Sequence, residues 1–157
     1  MNFRIYLCGL MTSNEVTRKW REDLQLHYQN KGWEKVVWLN PFNSIQADKI
    51  SDDGLSAQDI PANAIVHRDL QALKSSQLVV AHMSQFGEKR NLTGSLIEIG
   101  WLSLLNIPLI MITDEAKYIN HPFLQQYASA IAKDVDEVIE KKYIDFFYKG
   151  MVNSRIK

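Results

Sequence analysis

Two acidic residues occupy positions where helical spacing predicts apolar side chains. The first is Glu98, which follows the polar segment Asn91–Ser95 at the start of a predicted helix. The side chains expected on its face of that helix are Trp101, Leu102 and Leu105. An unpaired carboxylate among apolar groups is strongly unfavourable, so something must compensate it. Two explanations stay open: a structural hydrogen-bond network holds Glu98, or Glu98 faces a ligand cavity.

Asp69 is the second acidic residue of this kind. It lies four positions after Ile65, within an apolar stripe on another predicted helix that comprises Ala62, Ile65, Val66, Leu70 and Leu73. One explanation is structural, namely an ion pair with Arg68, with Lys74 or with a helix N-terminus. The other is chemical. Two carboxylates in one pocket serve glycosyl chemistry, where one attacks or shields the anomeric carbon and the other transfers a proton or orients the sugar.

Tyr6 and several small residues are further candidates for the same site. Tyr6 lies near the end of the first predicted strand, where its hydroxyl could hydrogen-bond a carboxylate or simply pack at the rim. Gly9 and Gly94 permit close approach of a ligand to the backbone. The N–H groups at Gly94 and Ser95 open a helix and could bind an anion.

Basic residues and the lone cysteine complete the set of reactive side chains near these positions. Lys89 and Arg90 precede the Glu98 helix, so a phosphate group on the ligand is conceivable, with surface solvation as the alternative. We interpret Cys8 as a small buried hydrophobe. The four histidines show no metal-ligand spacing, and G-x-G-x-x-G and P-loop motifs are absent. We therefore expect neither a metal nor a cofactor.

Composition narrows the class of protein. The 157 residues include 18 basic and 18 acidic ones, a balance that argues against a nucleic-acid polymer as partner. No apolar run is long enough to span a membrane, and the first residues enter a strand pattern without a signal-peptide layout. A single cysteine suits a reducing compartment. We expect a cytoplasmic protein.

Strand patterns alternate with helix patterns along the chain. Strands are predicted at 3–8, 35–39, 77–82 and 107–113, with a short fifth strand from Ile131. Helices are predicted at 14–31, 62–75, from about 95 to 106, 121–129 and 135–149, whereas 40–61 reads as an irregular polar segment. Expected N-caps are Ser13 or Asn14, Asn91 or Thr93, and Asp134.

This alternation predicts the fold class. A single α/β domain over residues 1–157 is expected, with a doubly wound, mostly parallel, five-stranded sheet (flavodoxin- or Rossmann-like) and helices on both faces. Ligands bind such sheets beyond the carboxyl ends of the strands. Those loops are expected at 9–14, which includes Ser13, and at 40–59, 83–95 and 113–121.

Four motifs, taken in order, resemble the nucleoside 2-deoxyribosyltransferase family, which includes nucleoside 5′-monophosphate N-glycosidases. They are Ile-Tyr-Leu-Cys-Gly (5–9), His-Arg-Asp-Leu-Gln-Ala-Leu (67–73), Gly-Ser-Leu-Ile-Glu-Ile-Gly (94–100) and Ile-Pro-Leu-Ile-Met-Ile (107–112). The resemblance extends from residue 3 to about residue 125.

The resemblance implies roles for individual residues. Glu98 matches the nucleophile that attacks C1′. Asp69 matches the carboxylate that orients the sugar or base and assists proton delivery. Tyr6 matches the tyrosine that positions the nucleophile. Asn120 matches an asparagine contributed to a neighbouring subunit's site. Leu92 stands where the transferases carry an acidic residue that contacts the leaving base, so the usual base preference is not implied.

The resemblance also implies an activity and partners. The expected enzyme cleaves the N-glycosidic bond of (deoxy)nucleosides through a glycosyl-enzyme intermediate and passes the sugar to a free nucleobase. Two alternatives stay open: a nucleoside 5′-monophosphate N-glycosidase with water as acceptor, and a non-catalytic nucleotide-binding module. Members of this family assemble into homodimers or larger homo-oligomers, and the aromatic-rich C-terminal helix would suit such an interface.

Overall fold

Short β-branched and apolar runs form the five strands of one parallel sheet. The structure is a computed structural model, which describes residues 2–44, 50 and 60–152. The strands are β1 Phe3–Gly9, β2 Val36–Leu39, β3 Leu78–His82, β4 Leu109–Ile112 and β5 Ala130–Ala132. Their order in the sheet is β2-β1-β3-β4-β5, and every pairing is parallel. The chain therefore reverses its direction across the sheet between β1 and β3, where doubly wound sheets bind their ligands.

Helices connect the strands and cover both faces of the sheet. They are α1 Val16–Asn30, α2 Ala62–Lys74, α3 Thr93–Leu105, α4 Ala116–Ile119, α5 Pro122–Tyr127, α6 Val135–Glu140 and α7 Tyr143–Met151. A short 3-10 turn, Pro41–Ser44, follows β2. The predicted fold class, a doubly wound α/β sheet of five strands, is confirmed. Most of the predicted irregular segment 40–61 lies outside the described residues.

Successive side chains of β1 point to opposite faces of the sheet and pack into two separate apolar cores. Phe3, Ile5 and Leu7 point towards α1, α6 and α7, where they pack with residues such as Leu24 and Ile144. Tyr6 and Cys8 point the opposite way and pack among residues of α2, α3 and α5. Successive side chains on a strand face opposite sides of the sheet. Tyr6 and Cys8 are thereby directed together towards the helix that carries Glu98.

The buried face of α1 differs from the predicted one. Val16 was expected in the apolar stripe but is 37% exposed, whereas Thr17 and Arg21 are completely buried. The stripe is therefore rotated towards Thr17 and Arg21, and it retains Trp20 and Leu24. The buried face of α1 therefore carries a charged residue, Arg21, in addition to its apolar side chains.

The predicted helix 135–149 is in fact two helices. Lys142 adopts a left-handed conformation with φ 57°, which ends α6 and starts α7 in a new direction. Between β4 and α5 the chain also forms the short helix α4, which was not predicted. Among the described residues, no helix is both long and apolar enough to cross a bilayer.

The predicted helix caps are confirmed in part. The Asp134 side chain accepts a hydrogen bond from the backbone N–H of Glu137, as expected for the N-cap of α6. Asn14 accepts from the N–H of Val16 but precedes the cap position of α1. Helix α3 has Leu92 at its N-cap and no side-chain cap, so the prediction of Asn91 or Thr93 was wrong.

Candidate active site

A cavity of about 410 Å³ lies at the carboxyl end of β1, between α2 and the start of α3. This volume lies within the range of small-molecule sites. Residues from four segments of the chain line it: Tyr6, Gly9, Leu10, Met11, Pro41, Ala62, Ile65, Val66, Asp69, Arg90, Asn91, Leu92, Gly94, Ser95, Ile97, Glu98 and Trp101. Both carboxylates singled out in the sequence thus lie in one cavity.

Much of the apolar stripe on α2 lines this cavity. Val66 is 48% exposed, Ile65 is half-buried, and both line the cavity together with Ala62. Of the residues on α2, Leu73 is the one that is fully buried. An apolar helix face that borders a hollow is suited to a flat, weakly polar group such as a nucleobase.

Glu98 lies in the second turn of α3 and accepts hydrogen bonds at both carboxylate oxygens. The Tyr6 hydroxyl donates to Oε1 over 3.0 Å, and the Cys8 thiol donates to Oε2 over 2.9 Å. The two open explanations for Glu98 therefore hold together, since it has a hydrogen-bond network and also lines the cavity.

Burial raises the pKa of Glu98 from its ordinary value to about 7. The negative charge of Asp69 adds to this rise, whereas the hydrogen bonds from Cys8 and Tyr6 and the charge of Arg21 oppose it. A carboxyl with this pKa is about half ionised at neutral pH. Strong perturbation of a carboxyl inside a cavity is typical of functional sites.

Asp69 also has both of the roles considered for it. Its Oδ1 forms an ion pair with Arg68, with Nη2 at 2.8 Å and Nε at 2.9 Å, while the side chain lines the cavity and stays 17% exposed. Burial raises the pKa of Asp69, although the Arg68 hydrogen bond and charge lower it in part. Because Arg68 is the neighbouring residue on the same helix, the ion pair fixes the Asp69 carboxylate while the side chain still lines the cavity.

The other predicted site residues fall into two groups. Gly9, Gly94 and Ser95 line the cavity together with Tyr6, as expected from their places after β1 and at the start of α3. Ser13 and Asn120 are exposed and lie outside the lining of this cavity. Their proposed contacts with substrate, including the contribution of Asn120 to a neighbouring subunit, stay predictions.

The backbone at Gly9 lies so close to atoms of His82, Trp20 and Arg21 that a Cβ atom there would be crowded. A Cβ atom there would lie 3.1 Å from the carbonyl oxygen of His82, 3.2 Å from Cζ2 of Trp20 and 3.3 Å from Nη2 of Arg21. These contacts are tighter than ordinary van der Waals distances. A side chain at this position would displace the loop that forms one wall of the cavity.

Arg21 stabilises the loop that follows β1 by donating hydrogen bonds to its carbonyl groups. Its fully buried guanidinium donates to the carbonyl oxygens of Leu7, Gly9, Leu10 and Thr17. Burial lowers the pKa of Arg21 to about 10, so the group stays charged at neutral pH. This cation also favours the ionised form of Glu98.

The Arg21→Lys variant is expected to unfold at a markedly lower urea concentration than the wild type. The planar guanidinium of Arg21 donates to four carbonyl oxygens, and a lysine ammonium cannot reproduce that arrangement. Some of these buried acceptors would therefore lose their hydrogen-bond donors. We expect a loss of about 3 kcal/mol in the free energy of unfolding. Arg18→Lys, on the partly exposed side of α1, is the matched control and should change stability by under about 1 kcal/mol. An Arg21→Lys protein as stable as the control would contradict this role.

Two residues at the site were not recognised from the sequence. Cys8 was interpreted as a plain core residue, yet it hydrogen-bonds Glu98. Arg21 was not considered, because single charged residues on an amphipathic helix are ordinarily solvated. The signal that could have identified Cys8 is its two-residue spacing from Tyr6, which places both side chains on one face of a strand.

Solved structures that share this fold include the following three. A conserved protein from Enterococcus faecalis has a TM-score of 0.65 at 12% identity, over 92% of this chain and 99% of its own. A 2-deoxyribosyltransferase from Leishmania mexicana has a TM-score of 0.61 at 15% identity, over 95% and 99%. A CMP N-glycosidase from Clostridium botulinum has a TM-score of 0.53 at 20% identity, over 90% and 98%. A search of curated protein sequences finds no match.

The sheet order and the acidic cavity together define a doubly wound α/β protein with an enzyme-like site. A comparison with protein-family models then identifies the family. The model described as "Nucleoside 2-deoxyribosyltransferase" matches residues 5–152, which is nearly the whole chain. This chain belongs to the nucleoside 2-deoxyribosyltransferase family, so it is an enzyme of the deoxyribosyltransferase and N-glycosidase class. The resemblance noted in the sequence motifs is confirmed.

Proposed function

We propose that this enzyme cleaves the N-glycosidic bond of a (deoxy)nucleoside with Glu98 as its nucleophile. The observation that carries the proposal is the environment of Glu98. Its carboxylate lines an apolar cavity, accepts a hydrogen bond at each oxygen and shares the cavity with Asp69. A carboxylate placed in this way can form a bond to the anomeric carbon.

The chemistry takes two balanced steps. In the first, a Glu98 oxygen bonds to C1′ as the C1′–N bond breaks, and the base leaves with the bonding electrons and takes up a proton. In the second, an acceptor attacks C1′, loses a proton and releases Glu98 as a carboxylate. A nucleobase nitrogen as acceptor gives transfer, and water gives hydrolysis.

Asp69 is the group proposed to orient the sugar and to assist proton transfer. Among the described residues that line the cavity, it is the one carboxyl besides Glu98. Because the pKa of Asp69 is raised towards neutral pH, its carboxyl holds a proton more readily than an ordinary aspartate does. This is the direction required for proton donation to a leaving base. Leu92 is 2% exposed and gives no acidic contact to the base.

A specific feature favours a nucleoside 5′-monophosphate as the substrate, which is the substrate of the second candidate, the N-glycosidase. Arg90 lines the same cavity, is half-buried and donates to the carbonyl oxygen of Met11 over 2.7 Å. Its guanidinium keeps further donors for an anionic group on the ligand. Homo-oligomer formation and a cytoplasmic location stay predictions.

One incubation separates these activities. The protein is mixed with a 2′-deoxynucleoside, its ribo counterpart or either 5′-monophosphate, with and without a second free base, and products are separated chromatographically. A swapped nucleoside supports transfer, and free base with free sugar or sugar phosphate supports hydrolysis. Ligand-dependent thermal stabilisation without any product would overturn catalysis and favour the binding module instead.

A further inference from the structure

Cys8 makes a contact that its place in the apolar core does not explain. The side chain is 1% exposed and packs in the same core as Tyr6, yet its thiol donates to Oε2 of Glu98 over 2.9 Å. A thiol whose role was only to fill space would need no acceptor. This one is directed at a carboxylate oxygen of the proposed nucleophile.

We propose that Cys8 is a positioning residue for Glu98, with its thiol fixing Oε2 while the Tyr6 hydroxyl fixes Oε1. The proposal rests on the proposed function for its catalytic meaning, although the hydrogen bond itself can be tested in the resting protein. Cys8 neither reacts with the substrate nor transfers its proton in this role.

The geometry of β1 explains why these two side chains act together. Tyr6 and Cys8 are two residues apart and face the same side of the sheet. Strand β1 pairs with β2 on one side and β3 on the other, so its backbone is held on both edges. Two donors on one rigid strand therefore fix both the position and the rotation of the Glu98 carboxylate. Each oxygen keeps a free lone pair with which to approach C1′.

The thiol remains a donor at every working pH. Burial raises the pKa of Cys8 well above its ordinary value, and the charge of Glu98 raises it further. The thiolate is thus strongly disfavoured next to the carboxylate, so the proton stays on sulfur. Because a hydrogen bond to the charged form favours ionisation, the Cys8 bond increases the fraction of Glu98 that is ionised at neutral pH.

Substitution of Cys8 should therefore move the pH dependence of activity. In Cys8→Ala we expect the acidic limb of the kcat/KM profile to shift upwards by roughly 0.5 to 1 pH unit. At pH 6 this shift alone would lower activity by about threefold to tenfold relative to wild type. In Cys8→Ser, a hydroxyl donor should return the limb to the wild-type position or below it.

The matched control is Val79→Ala, a deletion in the same core on the same face of the sheet. Val79 is fully buried and its side chain has no polar atom, so its truncation lowers stability without removing a donor to Glu98. Its acidic limb should coincide with that of the wild type. A purely structural Cys8 would behave like Val79.

A spectroscopic measurement tests the contact without any substrate. Cys8 is the single cysteine of the chain, so the S–H stretching band in the infrared spectrum of the wild-type protein arises from it alone. As Glu98 ionises it becomes a stronger acceptor, so the band should move to lower frequency with a midpoint near pH 7. In Glu98→Gln the band should not respond to pH.

The outcomes separate this inference from the proposed function. A wild-type band that titrates near pH 7 supports the contact even if no nucleoside is turned over. A band that is independent of pH, or a Cys8→Ala acidic limb that coincides with the wild type, would overturn the inference while leaving Glu98 as nucleophile. If Cys8→Ala does not fold, the wild-type and Glu98→Gln spectra still decide the question.

Discussion

We expect the Glu98→Gln variant to fold and to lose roughly 10³-fold or more of kcat/KM towards nucleoside substrates. An amide of the same shape cannot form the ester with C1′, and it carries no charge to stabilise the oxocarbenium-like transition state. The loss should appear mainly in kcat, because the cavity walls that bind the substrate are unchanged. Initial rates across a range of substrate concentrations, with circular dichroism to establish folding, provide the measurement.

Glu140→Gln is the matched control for this experiment. Glu140 is exposed at the end of α6, and it lies outside the cavity lining. The same chemical change there should leave kcat/KM within about twofold of wild type. A folded Glu98→Gln protein with activity close to this control would exclude Glu98 as nucleophile, whatever the substrate.

The same Glu98→Gln variant is expected to be more stable than the wild type at alkaline pH. The pKa of Glu98 is about 7 in the folded protein, above the ordinary value of 4.5. A carboxyl with a raised folded pKa contributes stability that is fully present below its unfolded pKa and is lost as pH rises through its folded pKa. The wild type should therefore lose about 2 to 3 kcal/mol between pH 5 and pH 9, a loss that the amide does not share.

Urea denaturation of both proteins at pH 5 and pH 9 measures this effect. The difference in free energy of unfolding between variant and wild type should increase by about 2 to 3 kcal/mol over that interval, equivalent to roughly 5–10 °C in Tm. Glu140→Gln again controls for the change in net charge. A gap that stays constant with pH would show that the ionised Glu98 is not destabilising, and it would remove the physical basis for the perturbed pKa.

The two predictions reinforce each other. If Glu98→Gln loses activity and gains alkaline stability, the wild type maintains an unfavourable buried charge at the position where reactivity depends on it. A structural carboxylate in a satisfied network would give the reverse result, with stability lost on substitution at every pH.

The strands and the two carboxylates could be predicted because they depend on local patterns. Alternating strand and helix periods predicted the sheet, and acidic residues at apolar helix positions predicted Glu98 and Asp69. The contacts that give these residues their properties depend on distant parts of the chain. Cys8 and Glu98 are 90 positions apart, and a cysteine in a buried strand has the pattern of any small apolar residue.

Other differences arise where local preference and tertiary packing disagree. Apolar spacing continues through 135–149, so it gives no sign of the left-handed residue at Lys142. On α1 the apolar spacing gives no sign that Arg21 is buried, because its burial depends on the carbonyl groups of the β1–α1 loop that accept its hydrogen bonds. On α2 the pattern predicted burial correctly for Leu73 but did not distinguish a core from a cavity wall at Val66.

The left-handed joint at Lys142 also determines how the chain tolerates change near its end. Helix α7 carries Asp145, which accepts hydrogen bonds from Tyr28 and Lys31 of the α1 region. One inserted or deleted residue at the joint would turn α7 by about 100° about its axis and carry Asp145 away from both partners. The contacts of Asp145 therefore fix the number of residues at this joint, and the left-handed backbone at Lys142 separately restricts which residues can occupy it.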